Sequence, residues 1–368
     1  MYLSLIFLCV VVSLVYVNYA GAIPIPWLDN ARTAKTLIFE PILLYSVSFL
    51  LIKSQEQGLR YLSIFLVILA LVNMFSLAIS VLGINLPNMN AHYFDKGRFA
   101  GFAGNPNKTA YVLCIVFAYL YFFMKQARKR RLRLFYLVLL ASIPLTILLT
   151  GSRGGLLGLI IVAVLLARLW GDYKSLIMMP VIVGPIVIGI LVTMENEYML
   201  HALDRFMLFG AEDATTVSSS RADIWVGLLD VWSSNFASMV VGMGYGVSQF
   251  VGYGARAHNM YIQILVEFGA IGLIVWLTGI WRARRFLVRF RAPDTRNEAL
   301  RRTTLACLYL LMVAWVFTSL INVLGIIALI FGLVTAMLIH KPVVRRAVRQ
   351  ADSQALNAKF LPADSAER

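Results

Sequence analysis

The sequence predicts an all-α integral membrane protein of about ten transmembrane helices, with one large loop at one membrane face that contains short amphipathic helices. Apolar runs of spanning length recur along the chain, charge is scarce, and the basic residues gather in alternate connections. Of the 368 residues 60% are hydrophobic and 14% charged, whereas a soluble domain carries about 25% charge. A helix needs roughly 20 apolar residues to cross the hydrocarbon core.

Such runs lie at about 3–20, 36–52, 61–83, 109–124, 134–150, 155–169, 175–194, 260–281, 303–321 and 325–340. The first lacks a basic n-region and reads as a span rather than a cleaved signal peptide. Only a short stretch with Asn322 and Gly325 divides the last two, which leaves one long helix or two. Cys9, Cys114 and Cys307 all fall inside these runs, so no disulfide framework is implied. Residues 1–340 form a single polytopic domain, and 341–368 read as a polar, mobile cytoplasmic tail.

The net charge of +15 is distributed unevenly. With both termini cytoplasmic, segments 53–60, 125–133, 168–174, 282–302 and the tail hold 24 of the 33 Lys and Arg against seven acids. The opposite connections, 21–35, 84–108, 151–154 and 195–258, hold nine of each sign. Runs such as "KQARKRRLR" (125–133) and "RARRFLVRFR" (282–291) therefore carry the positive-inside signal and touch membrane lipids rather than nucleic acid. The loop 195–258 and His258 then lie outside.

Within that loop, "SSSRADIWVGLLDVWSSN" places Ser220 as an N-cap before Ile224, Trp225, Leu228, Leu229 and Trp232 at helical spacing. Arg221 shares this apolar stripe, whereas Asp223 and Asp230 face away, so Arg221 asks for a buried anionic partner. The glycines at 242, 244, 246, 252 and 254 follow no strand of a βαβ unit, so they read as a compliant loop rather than a dinucleotide fingerprint.

Four polar clusters converge on the outer ends of the spans. In "GRFAGFAGNPNKTA" (97–110), Arg98 precedes an Asn105-Pro106-Asn107 turn, with Asn107 the expected N-cap and Lys108 beside free amides that suit an anion. In "LTGSRGGLLG" (149–158), Gly151/Gly155 and Gly154/Gly158 permit close helix contact, and Arg153 stands among them at membrane depth. Arg221 is the third. The fourth is His258-Asn259 at the head of a helix on which Gln263 and Glu267 form a bundle-knitting stripe pointing away from His258. Each cluster has a plain structural explanation: capping, snorkelling or packing. Together they put one imidazole and several guanidiniums at one face. Arginine forks suit phosphate oxygens, and histidine takes a proton near neutral pH. No cluster has metal-ligand spacing and no outer carboxylate pair stands out. Cofactor-free, metal-free transfer from a diphosphate leaving group fits.

The segments "GRFAGFAGNPNKTAYVL", "LLTGSRGGLLGL", "SSSRADIWVGLL" and "GMGYGVSQF…AHNMYIQILVEFGAIG" resemble, in the same order, those of the O-antigen ligase and Wzy-type polymerase superfamily. The resemblance covers roughly residues 97–275 and rests on the ordered set, since no single piece is specific. It implies a GT-C-like bundle in the bacterial inner membrane. Such a bundle moves a glycan from undecaprenyl diphosphate to an acceptor sugar hydroxyl at the periplasmic face, with inversion. It further implies that Arg153 and Arg221 bind the donor diphosphate, that His258 activates the acceptor, and that Arg98, Asn105 and Asn107 belong to a substrate-binding motif. The acceptor is another lipid-linked glycan in a polymerase or lipid A-core in a ligase, and a chain-length regulator is a further partner of a polymerase. The compact chain tilts the reading toward a polymerase. The competing class is a lipid-linked glycan transporter or flippase, which places charge at the bilayer midplane and often shows inverted repeats; here only Glu267 is deep.

Overall fold

A computed structural model of the chain describes residues 39–81, 94–95, 98–171, 173, 221–244, 247, 257–318, 320 and 323–339. The helices are α1 (Glu40–Leu51), α2 (Gln55–Val81), α3 (Pro106–Gln126), α4 (Arg130–Leu149), α5 (Arg153–Trp170), α6 (Arg221–Ser233), α7 (Phe236–Val241), α8 (Met260–Arg289) and α9 (Thr295–Phe317), followed by α10 (Leu324–Ile339). Two-residue strands β1 (Phe94–Asp95) and β2 (Arg98–Phe99) pair antiparallel ahead of α3. Six helices, α2–α5, α8 and α9, are long and apolar enough to cross a membrane, while α1 and α10 are shorter apolar helices. The chain is thus an all-α membrane protein. The last two apolar runs belong to two helices, because α9 ends at Phe317 and α10 starts at Leu324. The runs at 3–20 and 175–194, the loop before Arg221 and the tail 341–368 lie outside the described residues.

The core is built around α3. Every residue from Lys108 to Met124 is buried, as expected of a helix apolar on all sides. α2, α4, α5 and α9 surround it, and α8 packs on α9. Large apolar side chains such as Leu50, Phe75, Leu134, Val164 and Ile274 are exposed on the surrounding helices, the pattern of a surface that meets lipid rather than water.

Successive long helices alternate in direction. The N-termini of α3, α5 and α8 and the C-termini of α4 and α9 share one end, here called the site end. The opposite end is basic and tied by polar contacts. Glu298 binds Arg301 at 2.6 Å and Arg302 at 2.7 Å, Arg302 reaches the Leu169 carbonyl, and Arg296 pairs with Glu56.

α8 is not continuous. Gly269 has φ 68° and ψ −171° inside it. The break frees the carbonyls of Val266 and Glu267, which accept from the amides of Met243 (2.9 Å) and Gly244 (3.1 Å). Gly242 and Gly269 meet back to back: a Cβ on either would lie about 2.5 Å or less from main-chain atoms of the other segment. Non-helical backbone is tolerated at membrane depth only when protein satisfies it. The segment after α7 does so here.

Candidate functional site

The site end begins with the first turn of α3. Asn105, not Asn107, is its N-cap: the Asn105 side chain accepts from the amides of Asn107 (3.1 Å) and Lys108 (3.2 Å). The expectation of Asn107 as cap is thereby corrected, and Pro106 is the reason. Proline has no N–H to offer and a fixed φ suited to the first helical position, so the cap is the residue before it. The Asn107 side chain is left to face the neighbouring turn, where its Oδ1 accepts from the Ser152 hydroxyl at 2.7 Å.

Ser152 also caps α5, its Oγ accepting from the Gly155 amide at 3.0 Å. One hydroxyl therefore locks the N-termini of α3 and α5 together and fixes Arg153, the first residue of α5. The glycines then let the two helices touch. A Cβ on Gly155 would lie 2.3 Å from that of Ala110, and one on Gly158 3.0 Å from the Tyr111 ring. Gly154 and Gly158 serve the close contact anticipated from their spacing, whereas Gly151 belongs to the turn before α5. A Cβ on Gly154 would be 2.6 Å from the Tyr111 hydroxyl and 3.6 Å from Cβ of Phe317.

Phe317 brings in Arg221. The Arg221 Nη1 donates to the Phe317 carbonyl at 3.1 Å. One of its donors thus goes to the C-terminus of α9, whose last carbonyls lack helical partners and carry negative partial charge. The anionic partner expected for Arg221 is, for that donor, a backbone dipole. Arg221 also lies close enough to Tyr111 to interact electrostatically with its hydroxyl. The start of α5, where Arg153 stands, and Arg221 accordingly meet the same neighbours: Gly154 packs by Tyr111 and Phe317, and Arg221 bonds to Phe317. The rest of α6 follows the amphipathic expectation: Leu228 is buried, and Asp223 and Asp230 are exposed. Ser220, its expected cap, lies outside the described residues.

His258 joins through the next turn of α6. Trp225 Nε1 donates to the Ala257 carbonyl at 2.6 Å, and Leu228 packs with Ala257 and Val266. The cap of α8 is Asn259, which accepts from the amides of Tyr261 (2.9 Å) and Ile262 (3.1 Å). His258 stands just outside the helix, half-buried, with φ 48°. Among the described residues it is the one non-glycine with positive φ, a conformation that costs about 1–2 kcal/mol for an L-residue. The capping explanation therefore belongs to Asn259, and His258 stands outside the cap. Gln263 donates to Glu267 at 3.1 Å, one turn apart on the buried side of α8, so this bond stays within the helix.

Arg98 sits in β2 opposite Asp95. Two residues on, the Ala100 carbonyl accepts from the Thr109 hydroxyl of α3, so the segment that carries Arg98 is anchored to α3. Among the described residues no three His, Cys, Asp or Glu side chains form a group that could hold a metal. Sequence reasoning passed over Tyr111, Ser152, Trp225 and the Phe317 carbonyl. The i, i+4 spacing of Asn107 and Tyr111 was the available signal for the tyrosine; a carbonyl acceptor leaves none.

Residues 137–277 match a family model described as O-antigen ligase. The match runs from within α4 into α8 and takes in Arg153, Arg221 and His258, while Arg98, Asn105, Asn107 and Tyr111 precede it. No curated protein matches the sequence.

Proposed function

From the premise that the chain belongs to the O-antigen ligase and polymerase superfamily by its match over residues 137–277, we propose that it transfers a glycan from a lipid-linked diphosphate to an acceptor hydroxyl, with inversion and without a metal. One observation carries the assignment to this end of the bundle. Arg153, at the start of α5, and Arg221, bound to the end of α9, flank the same Gly154–Tyr111–Phe317 contact. Two guanidiniums and a helix N-terminus are the elements that bind phosphate.

In this mechanism the acceptor oxygen attacks the anomeric carbon as His258 takes its proton. The bond from that carbon to the diphosphate oxygen breaks, and the electron pair leaves with the diphosphate. Arg153 and Arg221 stabilise the charge that grows there. Asn105 and Asn107 set the turn beside Arg153, and Arg98 is assigned to substrate binding with them. The segregation of basic residues to the opposite end supports a periplasmic site in a bacterial inner membrane, with both termini cytoplasmic. Undecaprenyl diphosphate is the donor carrier of this reading, and a second lipid-linked glycan is the acceptor, as in a polymerase.

The test uses purified protein and an undecaprenyl-diphosphate-linked glycan in detergent, with no ion gradient. Conversion by the wild type, and loss of about a hundredfold or more in His258→Ala at normal protein level, is the expected outcome. Wild-type transfer by that variant removes the base assignment, and binding without conversion favours a transporter. In a deletion strain, lipopolysaccharide with single-repeat caps identifies a polymerase. Uncapped core with accumulating long lipid-linked chains identifies a ligase.

A further inference from the structure

Tyr111 lies one helical turn below Asn107 on α3 and is 2% exposed. Its hydroxyl is buried and makes no hydrogen bond, and it is the only hydroxyl of that kind among the described residues. Three other tyrosines in the bundle contrast with it. Tyr119 donates to Thr304 (3.1 Å), Tyr136 pairs with Ser63 (2.7 Å), and Tyr261 donates to the Met312 carbonyl (2.9 Å). A buried donor without a partner is destabilising, so a ring serving only to pack is better made as phenylalanine. The ring does pack, against Gly154 and Gly158. Packing explains the ring but not the hydroxyl.

The position of that hydroxyl is particular. It faces the first turn of α5 at Gly154, the residue after Arg153, and it is within electrostatic reach of Arg221. A neutral O–H beside the residue that follows Arg153, and within electrostatic reach of Arg221, is a suitable third donor for a group with several negative oxygens. It contributes direction where the arginines contribute charge.

We propose that the Tyr111 hydroxyl donates a hydrogen bond to a phosphate oxygen of the lipid-linked donor, seated between Arg153 and Arg221. The assignment rests on the transfer function proposed above and adds a donor-binding residue to it. Tyr111 precedes the segment that matches the family model. Its role therefore comes from where α3 is packed against α5.

Tyr111→Phe deletes the hydroxyl and keeps the ring. A hydrogen bond to a charged group is worth about ten- to a hundredfold in binding. Transfer from a prenyl-diphosphate-linked disaccharide is expected to show donor KM raised, or kcat/KM for donor lowered, by that factor, with acceptor KM unchanged. Without donor, the melting temperature of Y111F is expected to equal or exceed that of wild type. Added donor is expected to stabilise Y111F less than wild type. Tyr119→Phe, on the same helix but with a bonded hydroxyl, is the control: it should lose stability and keep donor KM. Donor kinetics and donor-induced stabilisation within twofold of wild type in Y111F overturn the proposal. If Arg153→Ala and Arg221→Ala are inactive in that case, only the Tyr111 assignment fails. If they too transfer normally, the site itself is misassigned.

Discussion

Gly269 and Gly104 both have positive φ, 68° and 60°, yet replacing them with alanine has very different expected consequences. Gly104 has ψ 13°, in the left-handed region, and nothing lies within 4 Å of a Cβ built there. Gly104→Ala should cost about 1 kcal/mol of backbone strain and no more. Gly269 has ψ −171°, a region open essentially to glycine, where another residue costs about 1–3 kcal/mol. Its Cβ would also stand 2.3 Å from the Val240 carbonyl oxygen and 2.5 Å from the Gly242 nitrogen. Those are main-chain atoms, so the clasp has to open, forfeiting the Met243 and Gly244 bonds to α8 at about 1 kcal/mol each. Gly269→Ala should therefore lose about 3–5 kcal/mol, a large part of a typical folding free energy. Buried Cys114 and Cys307 are built-in reporters, since their thiols react with maleimide only as the bundle opens; a Cys9→Ser background isolates them. A denaturant series read by thiol labelling gives both variants on one scale. If Gly269→Ala loses no more than Gly104→Ala, the clasp is not a constraint on α8 and the account of the broken helix is wrong.

Other outcomes follow from the same geometry. Ser152→Ala removes the α5 cap and the tie to Asn107 together, and should cost about 1–2 kcal/mol while raising donor KM; unchanged melting by thermal unfolding would contradict the shared-hydroxyl reading. Trp225→Phe cuts the bond to Ala257 and should lower turnover several-fold for a stability loss of about 1 kcal/mol, measured by transfer and melting on the same preparation. His258→Gly should relieve the positive-φ strain and melt higher than His258→Ala, while both are inactive in the transfer assay. Glu298→Gln, at the far end, should weaken the Arg301–Arg302 network by about 1 kcal/mol or less, as half-exposed pairs do, and leave transfer intact.

What was legible in the sequence is what periodicity and side-chain chemistry encode. Apolar runs located the described long helices, and the charges on α6 marked its exposed face, Asp223 and Asp230, while of its apolar stripe only Leu228 is fully buried. The glycines at 154, 155 and 158 announced a tight helix pair. Three features were not legible, each because the decisive atom is on the main chain. The N-cap moved from Asn107 to Asn105 because Pro106 has no amide to be capped. The break in α8 was hidden because Gly269 sits inside a run of spanning length that reads as one helix on both sides of it. The backbone that compensates it lies at residues 242–244. The acceptor for one Arg221 donor is a carbonyl 96 residues away, and an acceptor that every residue possesses cannot be picked out by type.

Those main-chain anchors explain how His258 keeps its unfavourable conformation. A strained residue persists only where its surroundings over-determine it. Upstream, the Ala257 carbonyl is held by Trp225. Downstream, Asn259 is fixed by capping two amides. Below, the α8 segment that follows is gripped at Val266 and Glu267 by the glycine clasp. The Trp225 bond and the cap contribute about 1 kcal/mol each, and the two clasp bonds about 2 kcal/mol more. Their sum exceeds the 1–2 kcal/mol that positive φ costs. α6 supplies both the Trp225 anchor and, one turn earlier, Arg221. The helix that keeps the imidazole in place is thus the one that carries a guanidinium to the start of α5. A displacement of α6 would shift His258 and Arg221 together relative to Arg153, which makes α6 the element on which alignment of the proposed base with the proposed leaving-group contacts depends.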